Sequence, residues 1–118
     1  MVREWIFFDQ KVIQDELDQL PAKDAAKMVA LMEHFSLVGR GNPLPAAIDE
    51  YGEGIYRLRH FKSDYQGRAL FFYFERTSAV ERLVLLTVYK KESRSVPDSV
   101  LQRAKTRMND YKRRNKSN

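Results

Sequence analysis

The chain contains no cysteine. That absence excludes disulfides, a thiolate nucleophile and any zinc or iron–sulfur site built on Cys, and it fits a reducing compartment. Long apolar runs are absent as well. No stretch approaches the roughly 18 apolar residues of a membrane span. The opening MVREWIFFDQ has no apolar core long enough for a signal peptide, so a cytoplasmic protein with no membrane partner is expected. Histidine is scarce: His34 and His60 stand 26 residues apart, without carboxylates at matching spacing, which gives no support for a metal site. No cofactor is expected. A Gly-rich phosphate loop, a nucleophile elbow and paired carboxylates are missing, as are internal repeats and low-complexity tracts.

At 118 residues the chain is long enough for one core and too short for two. Its apolar (43%) and charged (31%) shares place it among ordinary globular domains. The distribution of charge is less ordinary. A net +5 conceals a split: residues 1–53 carry five Lys/Arg against ten Asp/Glu, and residues 54–118 carry sixteen against six. A basic half of that strength is the electrostatic footprint of nucleic-acid binding, because phosphate contacts release condensed counterions. Basic runs alone are more often a solvated surface. Here they are interleaved with Tyr and Phe in strand-like segments, which favours a platform for a polyanion, RNA first.

Three apolar runs separated by short polar breaks, Ile55–Phe61, Arg68–Phe74 and Leu83–Tyr89, predict an antiparallel meander. The second is apolar on both sides and therefore central. On the first, alternation puts Ile55, Arg57 and Arg59 on one face and Tyr56, Leu58 and His60 on the other. Arg3–Phe8 reads as a further short strand. Asp9 then caps a helix whose Val12, Ile13, Leu17 and Leu20 share a face. Pro21 opens a second helix, with Ala25, Met28, Val29, Met32, Phe35 and Val38 toward the core and Gly39 or Gly41 as its αL cap. Residues 42–53, with two prolines and Asp49, Glu50 and Glu53, are predicted to be a loop.

Pro97 starts the last helix, with Ser95 or Asp98 as its cap. Val100, Leu101, Ala104, Met108 and Tyr111 point inward, and Arg103, Lys105 and Arg107 lie on the opposite face. Residues 1–111 then form a single domain, and 112–118 a basic tail expected to be disordered. The expected class is α+β: two N-terminal helices packed on a small antiparallel sheet, mixed through its first strand, plus a basic C-terminal helix.

Taken in order, the junctions between elements form a pattern. It comprises Leu17-Asp18 and Leu20-Pro21 between the first helices, the strand Gly54-Ile55-Tyr56-Arg57-Leu58-Arg59, and the strand-initial Arg68. It continues with Leu85-Leu86, Tyr89-Lys90-Lys91 and Pro97, and with Ala104 in a basic helix ending near Tyr111. In these residues the chain resembles the RelE/ParE superfamily of bacterial toxins, in particular its HigB-like, phage-derived branch. The resemblance spans nearly the whole chain. It implies a RelE-like fold and the toxin of a type II toxin–antitoxin system. Such a toxin is an mRNA interferase that enters the ribosomal A site and cuts the bound mRNA without a metal. It also implies a cognate antitoxin partner, a helix-turn-helix, HigA-like protein encoded beside it. Two other readings stay open: a ParE-type non-enzymatic inhibitor of DNA gyrase, since one fold serves both, and an RNA-binding protein without catalysis.

RNA is cut when its own 2′-OH attacks the adjacent phosphate. The protein need only take the 2′ proton, stabilise the charge on the phosphorane and help the 5′ oxygen leave. Arginine suits the middle task, because its fixed fork grips two phosphate oxygens and stays charged. Arg57, Arg59 and Arg68, on adjacent strands, are the candidates. Arg68 leads them, as a charge in an otherwise apolar strand at the position where the family places a strand-initial Arg. The competing assignment pairs these arginines with Glu50, Glu53 or Glu75. Further phosphate contacts are expected from Arg94, Arg103, Arg107 and Lys62.

For proton transfer Lys90, Lys91, Tyr89 and His60 stand open. A lysine among other cations yields its proton more readily, Tyr89 can orient the nucleophile or stack on a base, and His60 titrates nearest neutrality. His60 alternates with Tyr56 and Leu58, however, which points to a packed face. No histidine lies near the C-terminus, so a family-style His acid there is excluded.

Overall fold

The computed structural model describes residues 2–37, 46–60, 62 and 64–115. Within them the elements are β1 (Val2–Phe7), α1 (Gln10–Asp18), α2 (Ala22–Leu37), β2 (Ala46–Glu50), β3 (Ile55–His60), β4 (Gly67–Arg76), β5 (Val80–Lys90) and α3 (Asp98–Arg114). The strands form one sheet in the order β1-β5-β4-β3-β2. β2 to β5 are antiparallel to their neighbours, and β1 runs parallel to β5, Val2 opposite Val80. The α+β class, the meander and the central place of the Arg68 strand are as the sequence predicts.

β4 and β5 are apolar on both sides because each face of the sheet has its own helical cover. One core joins Ile13, Leu17, Met28, Leu31 and Phe35 of α1 and α2 to Leu58, Ala69, Phe71, Leu83 and Leu85. The other joins Val100, Ala104 and Met108 of α3 to Ile55, Leu70, Phe72, Val84 and Leu86. Each fully buried Leu, Ile or Phe among these contributes about 1.5–3 kcal/mol. Asp9 caps α1, its carboxylate accepting from the Val12 N–H at 3.1 Å. Trp5 donates from Nε1 to the Met32 carbonyl at 2.9 Å and meets Phe71 edge-on, which fastens β1 to α2.

A bulge decides what β5 presents. Leu70 pairs with Thr87 and Phe71 with Leu85, so Leu86 is an extra residue. Strict alternation would keep Leu83, Leu85, Thr87 and Tyr89 on one face. Instead Leu83, Leu85 and Val88 face α1 and α2, whereas Leu86 and Tyr89 turn to the α3 side. β1 ends at Phe7, the Phe8 N–H bonding the Leu85 carbonyl at 3.1 Å. Beyond that point β5 keeps β4 on one side and has no strand on the other among the described residues. Side chains fill the gap: Glu16 accepts from the Val88 N–H at 3.0 Å, and Arg107 donates to the Leu86 carbonyl at 2.8 Å.

Several expectations change. Residues 46–50, predicted as loop, form edge strand β2 with Asp49 opposite Arg57. A run of five residues ending in two acids gives little strand signal by itself, and pairing with β3 supplies the rest. On α2, Val29 is exposed and Leu31 buried, because Asp24, Met28, Leu31, Met32 and Phe35 share the stripe. Arg103 and Arg107 do not face away from the core but flank the Val100–Ala104–Met108 stripe and reach onto β5. α3 continues through Arg114, into the residues expected to fray. Pro97, not Ser95 or Asp98, is its N-cap, with no side-chain cap bond. β3 ends at His60. Phe61, Val38, the glycine cap at 39 or 41 and residues 42–45 lie outside the described residues.

Candidate functional site

Arg57 and Arg59 leave β3 on the side shared with Ile55, toward which the β5 bulge also turns Tyr89. There Arg57, Arg59, Arg68, Lys91 and Arg94 line one cleft of about 230 Å³. Three strands converge on it, and the β2–β3 turn sets the register of the outermost pair. Gly52, Glu53 and Gly54 have φ of 79°, 56° and 84°, and the Tyr51 N–H closes the turn on the Ile55 carbonyl at 2.8 Å. This left-handed run suits glycine and brings Asp49 across from Arg57.

Asp49 is the carboxylate that meets these cations. Arg57 Nη2 donates to its Oδ2 at 2.9 Å and Arg59 Nε at 3.4 Å. The hydrogen bond from Arg57 holds the Asp49 carboxyl below its usual range, against the opposing effect of burial. Burial is the largest influence on the pKa of Arg57 and would lower it, but the Asp49 bond together with the nearby Tyr51, Tyr89 and Asp49 charges makes the net shift upward. Arg57 also donates from Nη1 to the Arg94 carbonyl at 3.0 Å and lies 5.1 Å from the Tyr51 ring centroid. It thereby joins β2, β3 and the segment after β5.

Arg68 is 4% exposed and has no carboxylate partner among the described residues. Its Nη1 donates to the Tyr65 and Gly67 carbonyls at 3.0 and 2.9 Å. Burial first, then Arg57 and Arg59, lowers its pKa, although a guanidinium remains charged throughout. The Nε–H groups of Arg57 and Arg68 are buried with no partner among the described residues. Each such donor costs about 1–3 kcal/mol. Tyr89, opposite Arg68 in the ladder, has its pKa raised by burial, with Arg57 opposing. It therefore keeps its proton at neutral pH and can donate one.

Lys90 and Lys91 diverge, as successive strand residues do. Lys91 lines the cationic cleft. Lys90 lines a neighbouring cleft of about 420 Å³, shared with Glu16, Tyr89, Glu92, Arg103 and Arg107. Glu16 is the hub there, accepting from Thr87 Oγ1 at 2.8 Å and from Arg107 Nη1 at 2.8 Å, while Arg103 donates to Thr87 Oγ1 at 2.9 Å. Arg103 and Arg107 thus hold the open end of β5.

Lys62 stands apart on the β3–β4 connection, its backbone N–H donating to His60 Nδ1 at 2.9 Å. His60 packs on the opposite face from Arg57 and Arg59, 7% exposed. Burial and then Lys27 and Lys62 push its pKa down, so it is a neutral, satisfied core histidine. The expected acidic partners are engaged elsewhere: Glu75 with Arg82 and Glu53 with Lys105. Among the described residues no group of three or more His, Asp or Glu could hold a metal.

Sequence reading missed Asp49 and Tyr51, because their strand and turn were read as loop. An Asp-x-Tyr-Gly-x-Gly run before a predicted strand was the available signal. It missed Asp24 because an acid in a helix's first turn is unremarkable.

The fold and the cleft together define a small RelE-like α+β domain with a concentrated anion site. The sequence matches the family described as "Phage derived protein Gp49-like (DUF891)" over residues 15–109, and the chain belongs to that family. The match runs from α1 into α3 and includes every residue lining the cationic cleft. The family sits in the context of RelE/ParE-like toxins. No curated protein matches the chain.

Proposed function

We propose that this protein is the toxin of a type II toxin–antitoxin module, of the HigB-like kind, and acts as a ribosome-dependent mRNA endonuclease. One observation carries the reading: five cations from β3, β4 and the segment after β5 line a single cleft, and Asp49 is the carboxylate bonded there. Such a site attracts a phosphodiester, and arginine forks stabilise the extra charge of a phosphorane. The scissile phosphate lies among Arg57, Arg59, Arg68 and Lys91. As the 2′ oxygen attacks, its proton passes to solvent, and Tyr89, held protonated, gives a proton to the departing 5′ oxygen. Arg94 and, in the next cleft, Lys90 contact the flanking backbone. Cleavage by the 2′-OH itself needs no metal. The protein acts in the cytoplasm, and none of its described helices is long and apolar enough to cross a membrane. A helix-turn-helix antitoxin encoded beside it silences it.

The test is expression in bacteria, wild type against Arg68→Ala combined with Lys91→Ala, following translation and mapping mRNA 5′ ends. New codon-spaced ends and growth arrest with the wild type alone are expected. Equal harmlessness of the two sinks the idea. Double-strand DNA breaks with intact mRNA would select a gyrase inhibitor, and RNA binding without cleavage a non-catalytic binder.

A further inference from the structure

Behind the cationic cleft stands a buried carboxylate that the proposed chemistry does not use. Asp24, in the first turn of α2, is 2% exposed and accepts from the Gln66 N–H at 2.8 Å. The Gln66 carbonyl in turn accepts from the Lys91 N–H at 2.7 Å. The carbonyls on either side, of Tyr65 and Gly67, accept from Arg68 Nη1 at 3.0 and 2.9 Å. Two carbonyls of the 65–67 loop are therefore taken by the Arg68 guanidinium and the third by the Lys91 backbone, and Asp24 grips the Gln66 N–H between them. The loop rests directly on α2: a methyl group at Gly67 would stand 3.5 Å from the Asp24 carbonyl oxygen.

Among the described residues Asp24 forms no ion pair. A carboxylate buried without a cation in contact is costly, and holding this loop in one place is what it visibly does. We propose that Asp24 is a positioning residue: through the Gln66 peptide it sets where Arg68 and Lys91 stand. Its effect on RNA rests on the phosphate reading of the cleft. Its effect on the two cations does not.

The experiment compares Asp24→Ala and Asp24→Asn, each alone and in an Arg68→Ala, Lys91→Ala background, at a temperature where all are folded by circular dichroism. Two quantities are read: the NMR signals of the Arg68 Nε–H and Lys91 backbone amide in the free protein, and the Kd for a single-stranded RNA oligonucleotide. Asp24→Ala shifts or broadens both signals and weakens binding about tenfold, whereas in the double-variant background it changes binding by less than about twofold. Asp24→Asn keeps an acceptor oxygen and stays within about threefold of wild type. Should the Ala variant not fold, Asp24→Glu gives the same readings, because it keeps the charge and displaces the acceptor.

Unmoved Arg68 and Lys91 signals overturn the proposal, as does an equal loss of affinity in both backgrounds. If the double variant itself binds RNA as wild type does, the phosphate reading fails, and the NMR signals still decide the role of Asp24.

Discussion

Arg68 sits where electrostatics treats it badly: 4% exposed, beside Arg57 and Arg59, with a buried Nε–H that meets no acceptor among the described residues. Replacing such a charge by an apolar side chain of similar length commonly stabilises a protein. Arg68→Met is expected to raise the thermal midpoint by about 3–5 °C while weakening RNA binding by about tenfold, which calorimetry and a binding titration together check. Asp49 makes the opposite case. Its carboxylate occupies guanidinium N–H groups that a phosphate would otherwise take. Asp49→Ala should tighten binding of a short RNA about threefold to tenfold, as fluorescence anisotropy would report, and weaker binding would contradict this. Because the folded-state pKa of Asp49 is lowered, the stability this pair contributes is present above the unfolded value of about 3.9. It is lost as pH falls through the lower folded value. At neutral pH the clamp is fully charged.

At the scale of elements, β5 is the strand on which site and stability meet. Its bulge turns Tyr89 toward Arg57 and is sealed by Glu16, which satisfies the Val88 N–H, the Thr87 hydroxyl and Arg107 at once. Glu16→Ala leaves those groups without their acceptor and should cost about 3 kcal/mol, read as a lower urea midpoint at unchanged m-value. Long periodic stretches made α1, α2, β4 and β5 legible from sequence alone, and Arg57, Arg59 and Arg68 with them. The facing of Tyr89 was not legible. It depends on a bulge sealed by a glutamate 72 residues away in the chain, and no local period records such a contact. β2 was hidden for a related reason, since its five residues become a strand only through their partner β3. Arg103 and Arg107 looked like a solvent face because a flanking position is assigned to one side only by what it touches.

For the whole molecule, the division of charge by sequence becomes a division in space. The basic C-terminal half builds the cleft, and the acidic N-terminal half supplies Glu16, Asp24 and Asp49 behind and beside it. Binding to single-stranded RNA should therefore fall steeply with salt. With three to five phosphates engaged, log K against log salt is expected to have a slope between about −2 and −3.5, from titrations at several salt concentrations; a flat dependence would exclude the cleft as the contact. The parallel pairing of β1 with β5 has a further consequence, for synthesis. Arg3 meets Glu81 across 78 residues, so β1 leaves the ribosome first and waits for its partner. Tyr89, Lys91 and Arg94 emerge later still. At about 5–20 residues per second, the interval is several seconds, during which no anion cleft exists. Ribosome-bound chains cut short before Val80 should accordingly bind no RNA through this site, and a nascent chain cannot yet use it.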